Sequence, residues 1–176
     1  MDGLYMKKTP HATILNISIA LGLIAICCLG IVLRQYNRRR IDVDQFSQYM
    51  LASPAYYQDM KEIEITDIED HYPGVRASDL ATEKVFVATD GTTREFAILE
   101  AKDTQTADTI QEALGRYCSG LLQEYQSESQ EEYACLKAYT IRRTRRYLIL
   151  TISDDANSGG LLVENYLDET NYNTRD

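Results

Sequence analysis

Residues 12–33 contain no charged side chain, and a chain with such a run has few places to put it. As a helix rising about 1.5 Å per residue, the run spans roughly 33 Å, against a bilayer hydrocarbon core of about 30 Å. A cleavable signal peptide has a shorter apolar region followed by a small-x-small site, whereas this run ends Leu29-Gly30-Ile31-Val32-Leu33 and meets Arg34. Cys27 and Cys28 raise the question of lipid attachment. Such processing wants a small residue before the cysteine, but Ile26 precedes Cys27 and Cys27 precedes Cys28. The run is therefore predicted to stay as a single transmembrane helix, with 1–11 as its N-terminal flank and 34–44 as a basic juxtamembrane linker.

Charge divides the chain at the same place. The first forty residues set Asp2 against Lys7, Lys8, Arg34, Arg38, Arg39 and Arg40, a net +5, while the whole chain carries −9, so the remainder carries −14. A part this acidic repels phosphate backbones, which argues against nucleic acid as a partner. Its length suffices for a core without metal or disulfide staples, and thirteen Tyr with no Trp make the apolar bulk largely aliphatic and amphipathic. Orientation is not settled by charge. Lys7 and Lys8 on one flank face four arginines on the other, a slight bias toward a cytoplasmic domain that large translocated domains often override.

Within residues 45–167 the patterning predicts one α+β domain, followed by a polar tail over 168–176. Asp42 or Asp44 opens a short amphipathic helix through Met50-Leu51, ended by Ser53-Pro54 because the residue before proline leaves the helical region. Residues 54–60 read as a connector. Thr66 or Asp67 caps a turn of helix that Pro73-Gly74 stops. Val85-Phe86-Val87-Ala88 and Phe96-Ala97-Ile98-Leu99 flank Asp90-Gly91, a pair favoured where both turn residues take positive φ, and so predict a hairpin. Both strands are apolar throughout, which calls for cover on both faces or a central position. Residues 103–125 place Ala107, Ile110, Leu114, Tyr117, Leu121 and Tyr125 at three- and four-residue spacing, one stripe of a long amphipathic helix. Ser127 or Ser129 caps a shorter helix through Leu136. A second hairpin joins Ala138-Tyr139-Thr140-Ile141 to Tyr147-Leu148-Ile149-Leu150-Thr151-Ile152 through a tip holding Arg142, Arg143, Arg145 and Arg146. Its second strand is expected at the centre of the sheet. Residues 161–167 form a last short helix. The expected domain is two hairpins in one sheet, packed on one face by the long helix and the shorter ones.

Four stretches together carry a resemblance: residues 67–75 (Asp67 to Val75), 96–103 (Phe96 to Asp103), 110–114 (Ile110 to Leu114) and 147–156 (Tyr147 to Ala156). In that order they resemble a bacterial family of unknown function, small lipoproteins and single-pass membrane proteins with an extracytoplasmic α+β domain. The resemblance covers residues 45–167 and rests on structural rather than catalytic motifs. The chain departs from the family in lacking a lipobox and the glycine often found near Arg143. The resemblance implies a domain outside the cytoplasm and an accessory role near machinery that acylates cell-surface polysaccharides. It implies no cofactor and no catalytic residue.

Candidate chemistry is sparse. His11 and His71 are the two histidines; His71 sits in sequence beside Asp67, Glu69 and Asp70, a setting that raises a histidine pKa and could hold a metal, though solvation of a helix end explains it more simply. Asp155-Ala156-Asn157-Ser158-Gly159-Gly160 imitates the start of a calcium loop, but its twelfth position is Tyr166 where a bidentate Glu belongs; no metal site is expected. Asp154 and Asp155 could act as paired carboxylates in acid–base work if burial separated their pKa values. Arg142, Arg143, Arg145 and Arg146 are the one basic concentration in an acidic domain, a candidate contact for an anionic partner or a tip paired with the domain's own carboxylates. Cys118 and Cys135 could form a disulfide outside the cell, while Cys118 on the apolar stripe also reads as a small buried hydrophobe. The reading that follows is a membrane-anchored, non-enzymatic accessory or binding protein of the bacterial cell envelope, docking a protein or surface polymer. An envelope enzyme using Asp154 and Asp155, and a cytoplasmic membrane-tethered adaptor, are its rivals.

Overall fold

The computed structural model describes residues 21–30, 40–56, 60–153 and 158–172 and divides into two units, Met1–Arg40 and Ile41–Asp176. In the first unit, residues 21–30 are helical (α1). The apolar side chains Leu21, Leu23, Ile24, Ile26 and Leu29 are all exposed there. The rest of the uncharged run lies outside the described residues. Among the described residues, no helix is long and apolar enough to cross a membrane.

The second unit begins earlier than the sequence predicts, because α2 (Val43–Leu51) starts inside the stretch read as linker. The Asp42 carboxylate accepts from the Gln45 N–H at 3.0 Å and so caps the helix, which places Phe46 and Met50, one turn apart, in the core. Strand β1 (Met60–Glu62) follows, with its first residue in what was expected to be connector. A 3-10 turn leads into α3 (Ile68–His71). Next come β2 (Leu80–Ala88), β3 (Glu95–Ala101) and α4 (Thr104–Glu128), capped by Asp103. Then α5 (Gln130–Leu136), capped by Ser129, leads to β4 (Thr140–Thr144), β5 (Tyr147–Ile152) and α6 (Ser158–Tyr172). That last helix is longer than expected at both ends.

The strands form a five-stranded antiparallel sheet in the order β1-β2-β3-β5-β4. The centre is β3, not β5 as the sequence predicts. Both are apolar enough for the place, and what decides is that β1 pairs outside β2, which sets two strands on each side of β3. All seven residues of β3 are buried. Successive side chains alternate between faces, so such a strand needs cover on both. Ala97, Leu99 and Ala101 join Ala107, Ile110 and Leu114 of α4 in one cluster. Phe96 and Ile98 join Phe46 and Met50 of α2 and Val163 and Tyr166 of α6 in another. The expectation of helices on one face is thereby corrected: the sheet lies between two helical layers.

The first hairpin also differs from expectation at its turn. Gly91 alone takes positive φ (86°), and Asp90 does not. The Asp90 carboxylate instead accepts from the N–H and hydroxyl of Thr92 and pairs with Arg94, a side-chain turn that replaces the tight two-residue one.

Candidate functional site

A glutamate at the start of a strand buried on both faces must find partners, since an isolated buried charge is costly. Glu95, the first residue of β3, is 3 % exposed and points to the α4 side of the sheet. Three aromatic side chains meet its carboxylate. The Tyr72 hydroxyl donates to Oε1. The Tyr117 hydroxyl donates to Oε2 at 2.7 Å. His71 Nε2 lies 3.4 Å from Oε2 and 3.5 Å from the Tyr117 hydroxyl. The rings pack edge-on: His71 against Tyr72 with centroids 4.5 Å apart, and Tyr72 against Tyr117 at 5.0 Å. Local sequence delivers each part. The α3 turn, stopped by Pro73-Gly74, points His71 and Tyr72 inward, Gly74 taking φ 94°, and α4 brings Tyr117 across the sheet.

Electrostatics follow from burial. Desolvation first, and the Glu95 charge second, push the Tyr72 and Tyr117 phenols far above the ordinary value; both remain donors across the whole neutral range. The same two causes push the Cys118 thiol up to about 12. A thiol that holds its proton so firmly is a poor nucleophile. With phenols on both oxygens of Glu95 and Tyr72 fully buried, the carboxylate ties α3, β3 and α4 together rather than facing solvent. His71 and Tyr117 are half-buried and form its edge toward water.

The partner of His71 is thus not the Asp67, Glu69 and Asp70 beside it in sequence but a carboxylate on another element. Glu95 was missed by the sequence reading. The signal was there: Glu95-Phe96-Ala97-Ile98-Leu99-Glu100 places two acids in a strand otherwise apolar on both faces, and each needs a donor. Glu100, 1 % exposed, finds its own in Arg146 at 2.5 Å.

The four arginines do not form one tip. Arg142 and Arg143 belong to β4 and alternate across it, so Arg142 approaches Glu164 of α6 at 3.8 Å while Arg143 binds Asp108 of α4 and donates to the Thr104 carbonyl at 3.0 Å. Arg146 also donates to the Lys102 carbonyl at 2.8 Å. Arg145 occupies the turn with φ 58°, and among the described residues no ion pair is recorded for it. Three of the four arginines, Arg142, Arg143 and Arg146, are thus engaged by the domain's own acids, with Arg142 and Arg143 on opposite faces of β4. Cys118 and Cys135 are both buried thiols within one core cluster, with no disulfide between them. Asp154 and Asp155 lie outside the described residues, as does His11. Among the described residues no group of His, Cys, Asp and Glu is arranged to hold a metal ion.

Compared with protein-family models, with curated proteins and with solved structures, the chain matches none.

Proposed function

We propose that this chain is a membrane-anchored accessory protein of a bacterial cell envelope, with a non-enzymatic α+β domain that docks a protein or surface polymer outside the cytoplasm. The anchor is the uncharged run over residues 12–33. The observation that carries the reading is the exposure of Leu21, Leu23, Ile24, Ile26 and Leu29 around the helix, apolar surface that lipid would cover. Docking rather than catalysis is supported by the closure of the Glu95 carboxylate behind Tyr72 and Tyr117. A catalytic carboxylate must meet its substrate. The resemblance adds the orientation and the association with surface-polysaccharide acylation machinery. A second reading, a cytoplasmic adaptor tethered to the membrane, is favoured by Arg34, Arg38, Arg39 and Arg40 directly after the run.

A single experiment separates these readings. Ser127→Cys, on the exposed end of α4, is labelled with a membrane-impermeant maleimide in intact bacteria, with the unsubstituted chain as background. The protein is expected in the carbonate-washed membrane fraction and labelled without permeabilisation. Release by carbonate sinks the anchor; labelling only after permeabilisation sinks the outward domain and leaves the adaptor.

A further inference from the structure

The sheet ends in two edges that are not alike. Strand β1 is three residues long, whereas β4 presents five, Thr140–Thr144, with no strand beyond it among the described residues. The register says which of its backbone groups are open. The Arg146 carbonyl accepts from the Ala101 N–H of β3. Backbone groups alternate sides along a strand, so Tyr147, Ile149 and Thr151 of β5 turn toward β4, where their partners are Thr144, Arg142 and Thr140. Ile141 and Arg143 therefore aim their N–H and C=O groups away from the sheet, a template for another strand.

Side chains at this edge are unequal as well. Arg143 is held on the α4 side by Asp108 and the Thr104 carbonyl. Arg142, on the α6 side, reaches Glu164 only at 3.8 Å, with both side chains more than half exposed; exposed pairs of this kind hold weakly and exchange readily. Just past the strand, Arg145 is exposed, and among the described residues no ion pair is recorded for it. It takes φ 58°, a left-handed conformation that costs an L-residue what glycine would be spared. Strain kept beneath an exposed charge points to a use for that charge.

We propose that the outer edge of β4 takes up an extended acidic polypeptide as a sixth strand, with carboxylates meeting Arg142 on the strand and Arg145 at its end. Residues of the added strand opposite Ile141 and Arg143 carry the hydrogen bonds, and an apolar side chain suits partly buried Ile141. Those between them face Arg142, so acids belong at alternate positions. A second copy of this chain is a poor occupant: paired antiparallel about the middle of β4, Arg142 would meet Arg142, and like charges directly opposite destabilise. The unit's net −14 opposes an acidic chain at long range, but charges are screened beyond about 8 Å at physiological salt, so at contact the arginines decide. This rests on the docking function proposed above and names the edge and the chemistry of the docked chain.

The test uses the full chain in dodecyl maltoside micelles, followed by backbone amide NMR shifts. The probe is a capped peptide of alternating glutamate and valine. Against it are set the same peptide with proline for valine, equal in charge but without the N–H groups that would pair, and phosphatidylglycerol doped into the micelles. Saturable shifts centred on Ile141 and Arg143 are expected with the valine peptide alone. Arg145→Gly, which removes the charge and the strain together, should weaken binding about ten-fold, the scale of a lost hydrogen bond to a charged group, with a urea midpoint no lower than that of the unsubstituted chain. No saturable shift or equal binding of the proline peptide overturns the added strand. Unchanged affinity in Arg145→Gly, or a lower midpoint, overturns the role of Arg145 as a contact. A response of the same residues to phosphatidylglycerol without one to the peptide makes the edge a lipid contact instead. None of these results alters the anchoring or labelling expected of the full chain, so the two proposals fail separately.

Discussion

Glu95 is the residue on which most depends, because a buried phenol, a half-buried phenol and a histidine share its two oxygens. Stranding a buried donor costs about 1–3 kcal/mol, so Glu95→Leu, which strands the Tyr72 phenol and leaves the Tyr117 hydroxyl only the His71 ring 3.5 Å away, should lose about 1–3 kcal/mol in urea unfolding. Glu95→Gln keeps one acceptor oxygen and should lose less; equal loss in both variants would mean that the charge, not the hydrogen bonds, holds the cluster. The neighbouring thiol gives a pH signature. In the fold Cys118 keeps its proton up to about 12, while the unfolded thiol ionises from its ordinary 9.0. Below 9 both states are protonated and stability is flat; above it the unfolded state sheds a proton the fold retains, so stability falls as pH climbs. Urea midpoints should decline from pH 9, and Cys118→Ala should remove the first part of that decline while leaving the part above pH 10, where Tyr72 and Tyr117 contribute in the same sense. A Cys118→Ala profile that overlays the wild type contradicts this assignment. None of this was legible in the run of residues around His71, because the carboxylate that matters comes from β3. The sequence pattern exposes acids that need a partner; it does not say which element brings the donor.

At the scale of elements, periodicity and caps were the readable part. Asp42, Asp103 and Ser129 each cap a helix near its expected start, whereas Asp67 begins α3 without a side-chain capping bond; the stripe from Ala107 to Tyr125 is buried as far as Leu114, with Tyr117, Leu121 and Tyr125 partly buried against the core. Turns and close approaches were less readable. Arg142 and Arg143 looked like a tip because charge suits solvent, yet an edge strand also tolerates charge and uses it to discourage pairing with other chains. The approach of α6 to β5 is set by Gly159, where a Cβ would stand 2.7 Å from the Tyr56 hydroxyl and 2.9 Å from Thr151 Cβ. Gly159→Ala must push the helix off the sheet, and overpacking of this kind typically costs about 1–3 kcal/mol. Gly115 on α4 has no atom near the position of a Cβ, so Gly115→Ala should stabilise by about 0.5–1 kcal/mol through helix propensity. Thermal unfolding of the two variants should move in opposite directions. A fall for both would show that α4 needs the glycine for a reason other than space.

For the molecule as a whole, the division at residue 40 makes a stringent prediction. Each hydrophobic cluster in the sheet's two layers draws its buried residues from Val43 onward, and the same stretch carries the negative charge that keeps a polypeptide dispersed. A chain beginning at Ile41 should therefore fold alone, unfold in one cooperative urea transition at the midpoint of the full chain, and leave the membrane fraction entirely. About 136 residues can bury a sufficient core by themselves, whereas Leu21, Leu23, Ile24, Ile26 and Leu29 are exposed among the described residues of the first unit. That split was visible in the sequence because charge and hydropathy change together at one point. The direction of the proposed anchor was not, since Lys7 and Lys8 compete with four arginines on the opposite flank in a balance the positive-inside tendency does not decide. If the shortened chain instead binds a dye specific for exposed apolar surface, or its midpoint falls well below that of the full chain, the two units share stabilising contacts, and the anchor is part of the fold rather than a tether to it.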